Sequence, residues 1–290
     1  MRDFEALYHE MHEEEIEPYV DELAPKAQLE PHEGRSAEDI ETLFEYMQGL
    51  IVLNRHEAAA QVFNALRPII DDFRAKHPDG EQGLDYFYEW SLLALRLTPE
   101  SRTDFVSLPL YQELFETFDK GPESLRYRGV QSRAQMLRHV DYWIGKGGNL
   151  ELLPEEDKAF ILEVRDTYEE LSDAAIEEVL ERDDYKAGVR LLKNAAQYFL
   201  LRQKPNDAIA CFKETLEYLP MVPGYHESDT AEINMQLGQI FIGYGKLEVA
   251  KRYFTEALDI YERGGEELEM LALQAEGWLE ETIKRMGKAK

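Results

Sequence analysis

The chain has 290 residues, with 32 lysines and arginines against 59 aspartates and glutamates, so its formal net charge is −27 at pH 7. This charge repels polyphosphate, which argues against direct binding of nucleic acid and against docking on an anionic membrane surface. The hydrophobic fraction of 44% is enough for a sizeable core. The sequence contains no run of about 18 apolar residues, the length that a membrane-spanning helix needs. The acidity fits either a basic partner or a surface solvated in a salty cytoplasm.

The first 35 residues predict an acidic helix followed by a linker, without a basic leader or an apolar signal core. Two histidines and two glutamates lie close together in this helix: His9, Glu10, His12 and Glu13. Their spacing differs from His-Glu-x-x-His, in which two histidines one helical turn apart share a metal ion. We therefore expect a solvated charged face here, and the sequence predicts no metal and no cofactor.

The single cysteine, Cys211, lies beside Phe212 in an apolar helical stripe. This position predicts a small buried packing residue rather than a nucleophile. One cysteine cannot form a disulfide within the chain. The resulting expectation is a soluble, cytoplasmic protein.

Residues 36–150 predict a second region, built of helices separated by turns. Ser36, with Asp39 three residues later, resembles a capping box and predicts the start of a helix. The next helix contains Pro68, which should kink or end it, because proline lacks an N–H and clashes with the preceding turn. The aromatic residues of segment 86–90 lie at helical spacing, so we expect them in the core rather than on a ligand-stacking surface.

Three prolines each predict a break followed by a new helix: Pro99, Pro109 and Pro122. A helix through Arg133–Ile144 should follow them. Four arginines make this the one locally basic region of the chain: Arg126, Arg128, Arg133 and Arg138. We expect these arginines either in intramolecular ion pairs or docked on an acidic segment such as residues 10–22.

Residues 151–290 form the third predicted region. Pro154 opens a helical run to about Arg182, which is either one long helix or two helices that break near Ser172–Asp173. The pair Asp183–Asp184 should cap the next helix. The sequence lacks the alternating β-branched runs that are typical of strands, so the whole chain is predicted to be all-α.

The stretch Thr230–Tyr261 has the most regular pattern in the chain. Apolar residues recur at helical spacing on both sides of Gly245, and glycine suits the left-handed cap of a helix. Gly238 leaves room for a second helix to approach, and we expect the small side chain of Ala250 to face it. Two amphipathic helices joined by so short a turn must lie antiparallel.

A second, weaker copy precedes this stretch, as one hairpin cannot bury its own apolar faces. Ala208 and Phe212, followed by Pro220, match the second helix of the better copy and its closing proline. The segment 221–225 is a turn-rich insert between the two copies. A final helix over 266–286 should cover the last apolar face.

These hairpins share spacing with a known repeat. The motif is Leu-Gly-x2-aromatic followed by Ala-x3-Phe-x2-Ala, carried by Leu237, Gly238, Phe241, Ala250, Phe254 and Ala257. It resembles the tetratricopeptide (TPR) helical hairpin. The resemblance implies antiparallel helical hairpins stacked as a right-handed solenoid, with degenerate repeats in residues 36–150. It also implies a non-catalytic scaffold or adaptor that binds a peptide or protein segment in a concave groove lined by the first helix of each hairpin.

Carried over by position from the TPR family, the groove is lined by Arg190, Lys193, Asn194, Gln197, Met235, Gln236 and Gln239, together with Glu232. Lys193 and Asn194 agree in part with the clamp by which some family members hold a terminal carboxylate. Glu266 and Glu269, however, stand where basic residues would be needed. The mixed groove favours a polar protein or peptide partner with some positive charge.

Two other function classes stay open. A regulatory protein that senses a peptide or small ligand would be favoured by an attached output domain, and none is recognised in the sequence. The sequence contains no evident nucleophile–base pair, metal cluster or cofactor loop, but an all-helical enzyme could assemble a site from distant carboxylates. A buried carboxylate pair with perturbed pKa values would favour that enzyme.

Overall fold

The structure, a computed structural model, describes residues 13–27, 35–78, 80–98, 100–101 and 103–288. Within these ranges the chain forms twelve α-helices and four short 3-10 helices and no strand, which confirms the all-α prediction. None of the described helices is long and apolar enough to cross a membrane. The fold divides into two compact units, Met1–Pro99 and Glu100–Lys290, so the expected boundary near residue 150 falls inside the second unit.

The first unit contains α1 to α4, each packed on the next along the chain: Glu13–Leu23, Ala37–Val52, His56–Lys76 and Glu81–Leu97. The predicted capping box begins α2. The Ser36 hydroxyl accepts a hydrogen bond from the backbone N–H of Asp39 at 3.3 Å, and the Asp39 carboxylate accepts from the N–H of Ser36 at 2.8 Å. Two of the otherwise unsatisfied N–H groups at the start of the helix are thereby paired.

Pro68 does not end α3, which continues to Lys76. A proline inside a helix costs about 3 kcal/mol. The turns that follow it bury Ile69, Ile70 and Phe73. Each such side chain contributes roughly 1.5–3 kcal/mol on burial, so tertiary packing outweighs the lost backbone hydrogen bond.

The aromatic segment of α4 lies in the core of the first unit, as expected. Tyr86 and Phe87 are fully buried. The Trp90 ring stacks on Phe63 of α3 with centroids 5.1 Å apart, and its indole N–H donates to the Phe63 carbonyl at 3.2 Å. These rings therefore hold α3 and α4 together and are not a free stacking surface.

The acidic helix α1 buries Ile16, Val20 and Leu23 in the first unit, and its acidic face pairs with charge. The guanidinium of Arg55 forms ion pairs with the carboxylates of Glu17 and Asp21. Tyr19 donates a short hydrogen bond to Glu45 of α2. The described part of the predicted acidic segment 10–22 therefore pairs with Arg55, outside the basic region near residue 130.

The second unit contains α5 to α12: Leu108–Asp119, Tyr127–Gly145, Glu155–Glu181, Tyr185–Leu201, Pro205–Tyr218, Glu227–Gly243, Leu247–Arg263 and Glu269–Lys288. Each of these helices packs on the next, and α6 packs on α8 as well as on α7. The long run of the sequence is the single helix α7, unbroken at Ser172–Asp173. The Asp184 carboxylate caps α8 by accepting from the N–H of Ala187 at 3.1 Å.

The three prolines have different outcomes. Pro109 lies in the first turn of α5, and Pro122 precedes a 3-10 helix that leads into α6. After Pro99, by contrast, the described residues form no helix before Leu108, so the helix predicted at that proline is wrong. The reason is that the Glu100 carboxylate accepts hydrogen bonds from the backbone N–H groups of Val106 and Ser107, which holds the segment as a loop.

One turn geometry recurs in four three-residue links between consecutive α-helices. In each, the second residue after the first helix has a left-handed backbone, with φ of 57°, 57°, 57° and 68° at Asn54, Asp183, Gln203 and Gly245. The next N–H then donates to the carbonyl five residues back, as Lys246 does to Phe241 at 2.9 Å. This is the Schellman type of helix cap. Glycine at 245 was expected in this role, whereas the other three positions tolerate a conformation that side chains disfavour.

The hairpin of α10 and α11 is closed by Gly238. A Cβ at this position would lie 2.6 Å from the Phe254 ring, which is one helical turn beyond the alanine expected to face it. Ala250 is itself fully buried. The close approach of the two helices therefore depends on a glycine against an aromatic ring. Phe254 in turn stacks on Trp278 of α12 at 5.9 Å, so α12 covers the hairpin as the pattern of segment 266–286 predicted.

Candidate functional site

The predicted groove residues lie on α8 and α10, and most of them reach the surface. One is exposed and five are partly exposed: Arg190, then Lys193, Asn194, Gln197, Gln236 and Gln239. Met235 is the exception and is only 7% exposed, within the apolar core. Because α10 packs on both α9 and α11, a wide arc of its surface is covered, and Met235 falls inside that arc.

Lys193 is occupied by an intramolecular partner. Its ammonium lies 2.8 Å from the carboxylate of Glu232 on α10, and the side chains of the pair are 35% and 51% exposed. An ion pair this exposed contributes about 0–1 kcal/mol, so an incoming anion or cation can exchange with either member. The bridge connects the first helices of the two predicted hairpins. We call the surface formed by Arg190, Lys193, Gln197, Gln236 and Gln239 the α8–α10 face.

The clamp for a terminal carboxylate remains incomplete. Glu269 begins α12 and adds negative charge where such a clamp requires a cation, and the side chain of Glu266 lies outside the described residues. Asn194 and the glutamines supply both N–H donors and carbonyl acceptors, which suit a peptide backbone. The α8–α10 face is therefore better suited to a polar segment than to a free carboxylate.

The chain matches no protein-family model, no curated protein and no solved structure. The resemblance to TPR hairpins accordingly rests on the residues and spacing given above. The structure adds that α10 and α11 are joined by a Schellman-type cap and touch at Gly238 and Phe254.

Two cavities that the sequence did not predict flank the long helix α7. One, which we call the α5–α7 groove, has a volume of about 860 Å³ and is walled by α5 and α7 above Arg133 of α6. The other, the α7–α9 groove, has a volume of about 560 Å³ and is walled by α7 and α9 above Leu192 of α8. Both lie beside α7, whereas the predicted site lies on α8 and α10.

The α7–α9 groove is lined by four carboxylates: Asp173, Glu177, Glu181 and Glu214. Burial raises the pKa of Asp173, with a smaller contribution from Glu169. Burial likewise raises the pKa of Glu214, followed by repulsion from Glu217 and Asp173. Asp173 is exposed and Glu214 partly exposed, so this pair is at the rim of the groove and not in its interior.

Cys211 lines the same groove as a free, half-buried thiol. Burial, and then the charges of Glu214 and Asp173, raises its pKa to about 12. The thiol therefore stays protonated near neutral pH, and the thiolate is the reactive form of cysteine. Its contacts with the apolar cluster of the last hairpins fit the expected packing role.

The described part of the chain contains no cluster of side chains suited to a metal ion. No group of three or more histidine, cysteine, aspartate or glutamate side chains there is arranged to hold an ion. His9 and His12, which the sequence placed in a charged helix, lie outside that part. Of the four arginines of the basic region, Arg133 forms an intramolecular ion pair, donating to both oxygens of Asp119 at 3.0 and 2.6 Å.

Proposed function

We propose that this protein is a non-catalytic scaffold that binds a protein or peptide segment on the α8–α10 face. In this proposal the hairpins of the second unit stack as a TPR-like right-handed solenoid, with α8 and α10 as first helices of consecutive repeats. The observation that carries it is the Lys193–Glu232 bridge. Because Lys193 of α8 and Glu232 of α10 lie only 2.8 Å apart, polar side chains from both helices belong to one surface.

The chemistry of this surface supports a partner of mixed polarity. Arg190 and Lys193 bind acidic or carbonyl groups, Glu232 binds a cation, and the amides of Gln236 and Gln239 donate and accept. A chain with a net charge of −27 also attracts basic partners over distances of several ångströms. We therefore propose a polar segment with some positive charge. A cytoplasmic location belongs to the same proposal, since one unpaired cysteine suits a reducing compartment.

The test is affinity capture from the native cell extract with the wild type and a Lys193→Glu/Gln236→Ala variant. A bound protein that is retained by the wild type and lost by the variant supports the proposal. Lys213→Glu is the matched control, because it makes the same charge change at an exposed lysine of α9. Identical sets of bound proteins from all three chains would remove the α8–α10 face as the binding site.

A further inference from the structure

The α5–α7 groove has the shape of a helix-binding groove. From α7 it is lined by positions that recur every three or four residues: Phe160, Glu163, Val164, Thr167, Glu170 and Leu171. From α5 it is lined at the same spacing by Gln112, Glu113, Glu116 and Asp119. Two walls of helical periodicity, with a third helix beneath, form the kind of groove that receives an amphipathic helix.

The floor of this groove includes an apolar patch beside Arg133, whose guanidinium carbon lies 4.4 Å from the centre of the Phe115 ring. The rings of Phe115 on α5 and Phe160 on α7 stack with their centroids 5.7 Å apart. Farther along α7, Leu171 exposes 38% of its surface. Because exposed aliphatic side chains gain about 25 cal/mol per Å² when they are covered, this floor favours an apolar ligand surface.

The rim of the groove is acidic. Its lining residues include five carboxylates and two cations, a net charge of −3. Both cations already have acidic neighbours in the groove: Arg133 pairs with Asp119 at 2.6 Å, and Lys120 pairs with Glu116 at 2.9 Å. Glu163 and Glu170 stand exposed along the other wall. An incoming cation is therefore attracted to the α7 wall, whereas an anion is repelled.

We infer that the α5–α7 groove binds a basic amphipathic helix of another protein. The lining positions of α7 extend from Phe160 to Ala174. At 1.5 Å of rise per residue this stretch is about 21 Å long, the length of roughly four helical turns. The apolar face of the ligand covers Phe160 and Leu171, and its lysines or arginines pair with Glu163 and Glu170. A second copy of this chain fits less well, because each copy carries a charge of −27.

The test uses a fluorescent synthetic helix of about 15 residues, made of leucine, alanine and lysine, with leucines at i, i+3, i+4 and i+7. Binding to the full chain is measured by anisotropy. We expect saturable binding that weakens as salt is added. A scrambled peptide of the same composition lacks the leucine stripe. It should bind at least about tenfold more weakly. Equal binding of the two peptides would overturn the inference.

The position of the site is tested on the protein. Glu163→Lys/Glu170→Lys should weaken binding about tenfold or more, since two attractions become repulsions. Glu177→Lys/Glu181→Lys is the matched control, because it makes the same change farther along α7, in the α7–α9 groove. Equal losses in the two variants would show nonspecific charge attraction and overturn the site.

A separate variant tests the apolar contact between the groove and the ligand helix. Leu171→Asn should weaken peptide binding several-fold while leaving the melting temperature close to that of the wild type, because Leu171 is exposed. If Leu171→Asn instead dissolves a dimer seen by sedimentation equilibrium, the groove is a self-association surface and the inference fails. Lys193→Glu should leave peptide binding unchanged, which separates this groove from the α8–α10 face.

Discussion

Gly238 on α10 lies directly against the buried ring of Phe254 on α11. A Cβ at Gly238 would approach the Cε1, Cζ and Cδ1 atoms of that ring to 2.6, 2.7 and 2.8 Å. The ring cannot move away freely, because its other neighbour is Trp278, stacked at 5.9 Å. The packing of the last hairpin and of its covering helix α12 thus leaves no room for a side chain at position 238.

Replacing this glycine should destabilise the protein. Gly238→Ala gains up to about 1 kcal/mol of helix propensity, but overpacking costs typically 1–3 kcal/mol. We expect a net loss of about 1–2 kcal/mol in the free energy of unfolding, measured by urea denaturation. The control is Gly277→Ala in α12, where a Cβ meets nothing within 4 Å. That variant should be more stable than the wild type by up to about 1 kcal/mol, and a loss of the same size at both positions would contradict this explanation.

The sequence predicted this glycine but not its partner. Periodicity places Gly238 on the apolar side of a helix and indicates that another helix comes close. Which residue fills the space depends on the rotation of α11 about its axis, and a one-turn difference separates Ala250 from Phe254. The same uncertainty explains Met235. Its position in the repeat predicted an exposed groove residue, whereas packing of α10 on two helices buries it.

The recurring turn offers a second stability test. Gln203 adopts a φ of 57°, a left-handed conformation that costs a residue with a side chain about 1–2 kcal/mol. Gln203→Gly should remove this strain. The greater flexibility of glycine in the unfolded chain offsets part of the benefit, so we expect the free energy of unfolding to rise by about 0.5–1 kcal/mol.

Gly245 provides the reverse experiment at the equivalent turn of the next hairpin. Its φ is 68°, and a Cβ there meets no atom within 4 Å, so the effect of an alanine is confined to the backbone. Gly245→Ala should lower the free energy of unfolding by about 1 kcal/mol. If both variants shift the urea midpoint in the same direction, the left-handed turns do not determine the stability of these hairpins.

A third prediction concerns the carboxylate that joins α6, α7 and α8. Asp141 accepts from Arg202 at 3.1 Å and lies 3.9 Å from Arg165, and the three side chains are only 19–25% exposed. Asp141→Asn keeps the shape but leaves two mostly buried cations without their counter-charge. We expect a loss of about 1–3 kcal/mol in the free energy of unfolding.

The control for Asp141 is an exposed ion pair. Arg252 and Glu256 on α11 lie 3.7 Å apart, one turn from each other, with 65% and 50% of the side chains exposed. Glu256→Gln should change the free energy of unfolding by no more than about 0.5 kcal/mol. Equal losses for Asp141→Asn and Glu256→Gln would show that the buried network contributes no more to the free energy of unfolding than an exposed ion pair does.

The two grooves beside α7 could not have been found from the sequence. Helical periodicity predicts which face of α7 is apolar, and Val164, Tyr168 and Ala175 are indeed buried. It does not predict how far α5 and α9 lie from that helix, because such distances follow from packing between elements far apart in the chain. From the sequence, Glu163 and Glu170 are therefore ordinary solvated positions, and periodicity predicts Leu171 inside, whereas the structure leaves it 38% exposed.

The last prediction concerns pH and the partly buried imidazole of His139. Its Nδ1 lies 3.2 Å from the Tyr111 hydroxyl, its Nε2 lies 3.6 Å from the Glu100 carboxylate, and the Phe105 ring packs on it edge-on. Burial lowers the pKa of His139, and Glu100 only partly offsets this effect. The unfolded chain, with an ordinary imidazole pKa of about 6.5, therefore binds a proton more readily than the folded protein as the pH falls.

The contribution of His139 to stability is thus fully present above about pH 6.5 and is lost as the pH falls through that value towards the lowered pKa of the folded protein. We expect the free energy of unfolding of the wild type to fall more between about pH 7.5 and pH 5.5 than that of His139→Gln, which cannot take up the proton. His56→Gln, at an exposed histidine of the first unit, is the matched control and should keep the wild-type decline. Parallel declines in the wild type and His139→Gln would mean that the carboxylates alone set the acid sensitivity of this protein.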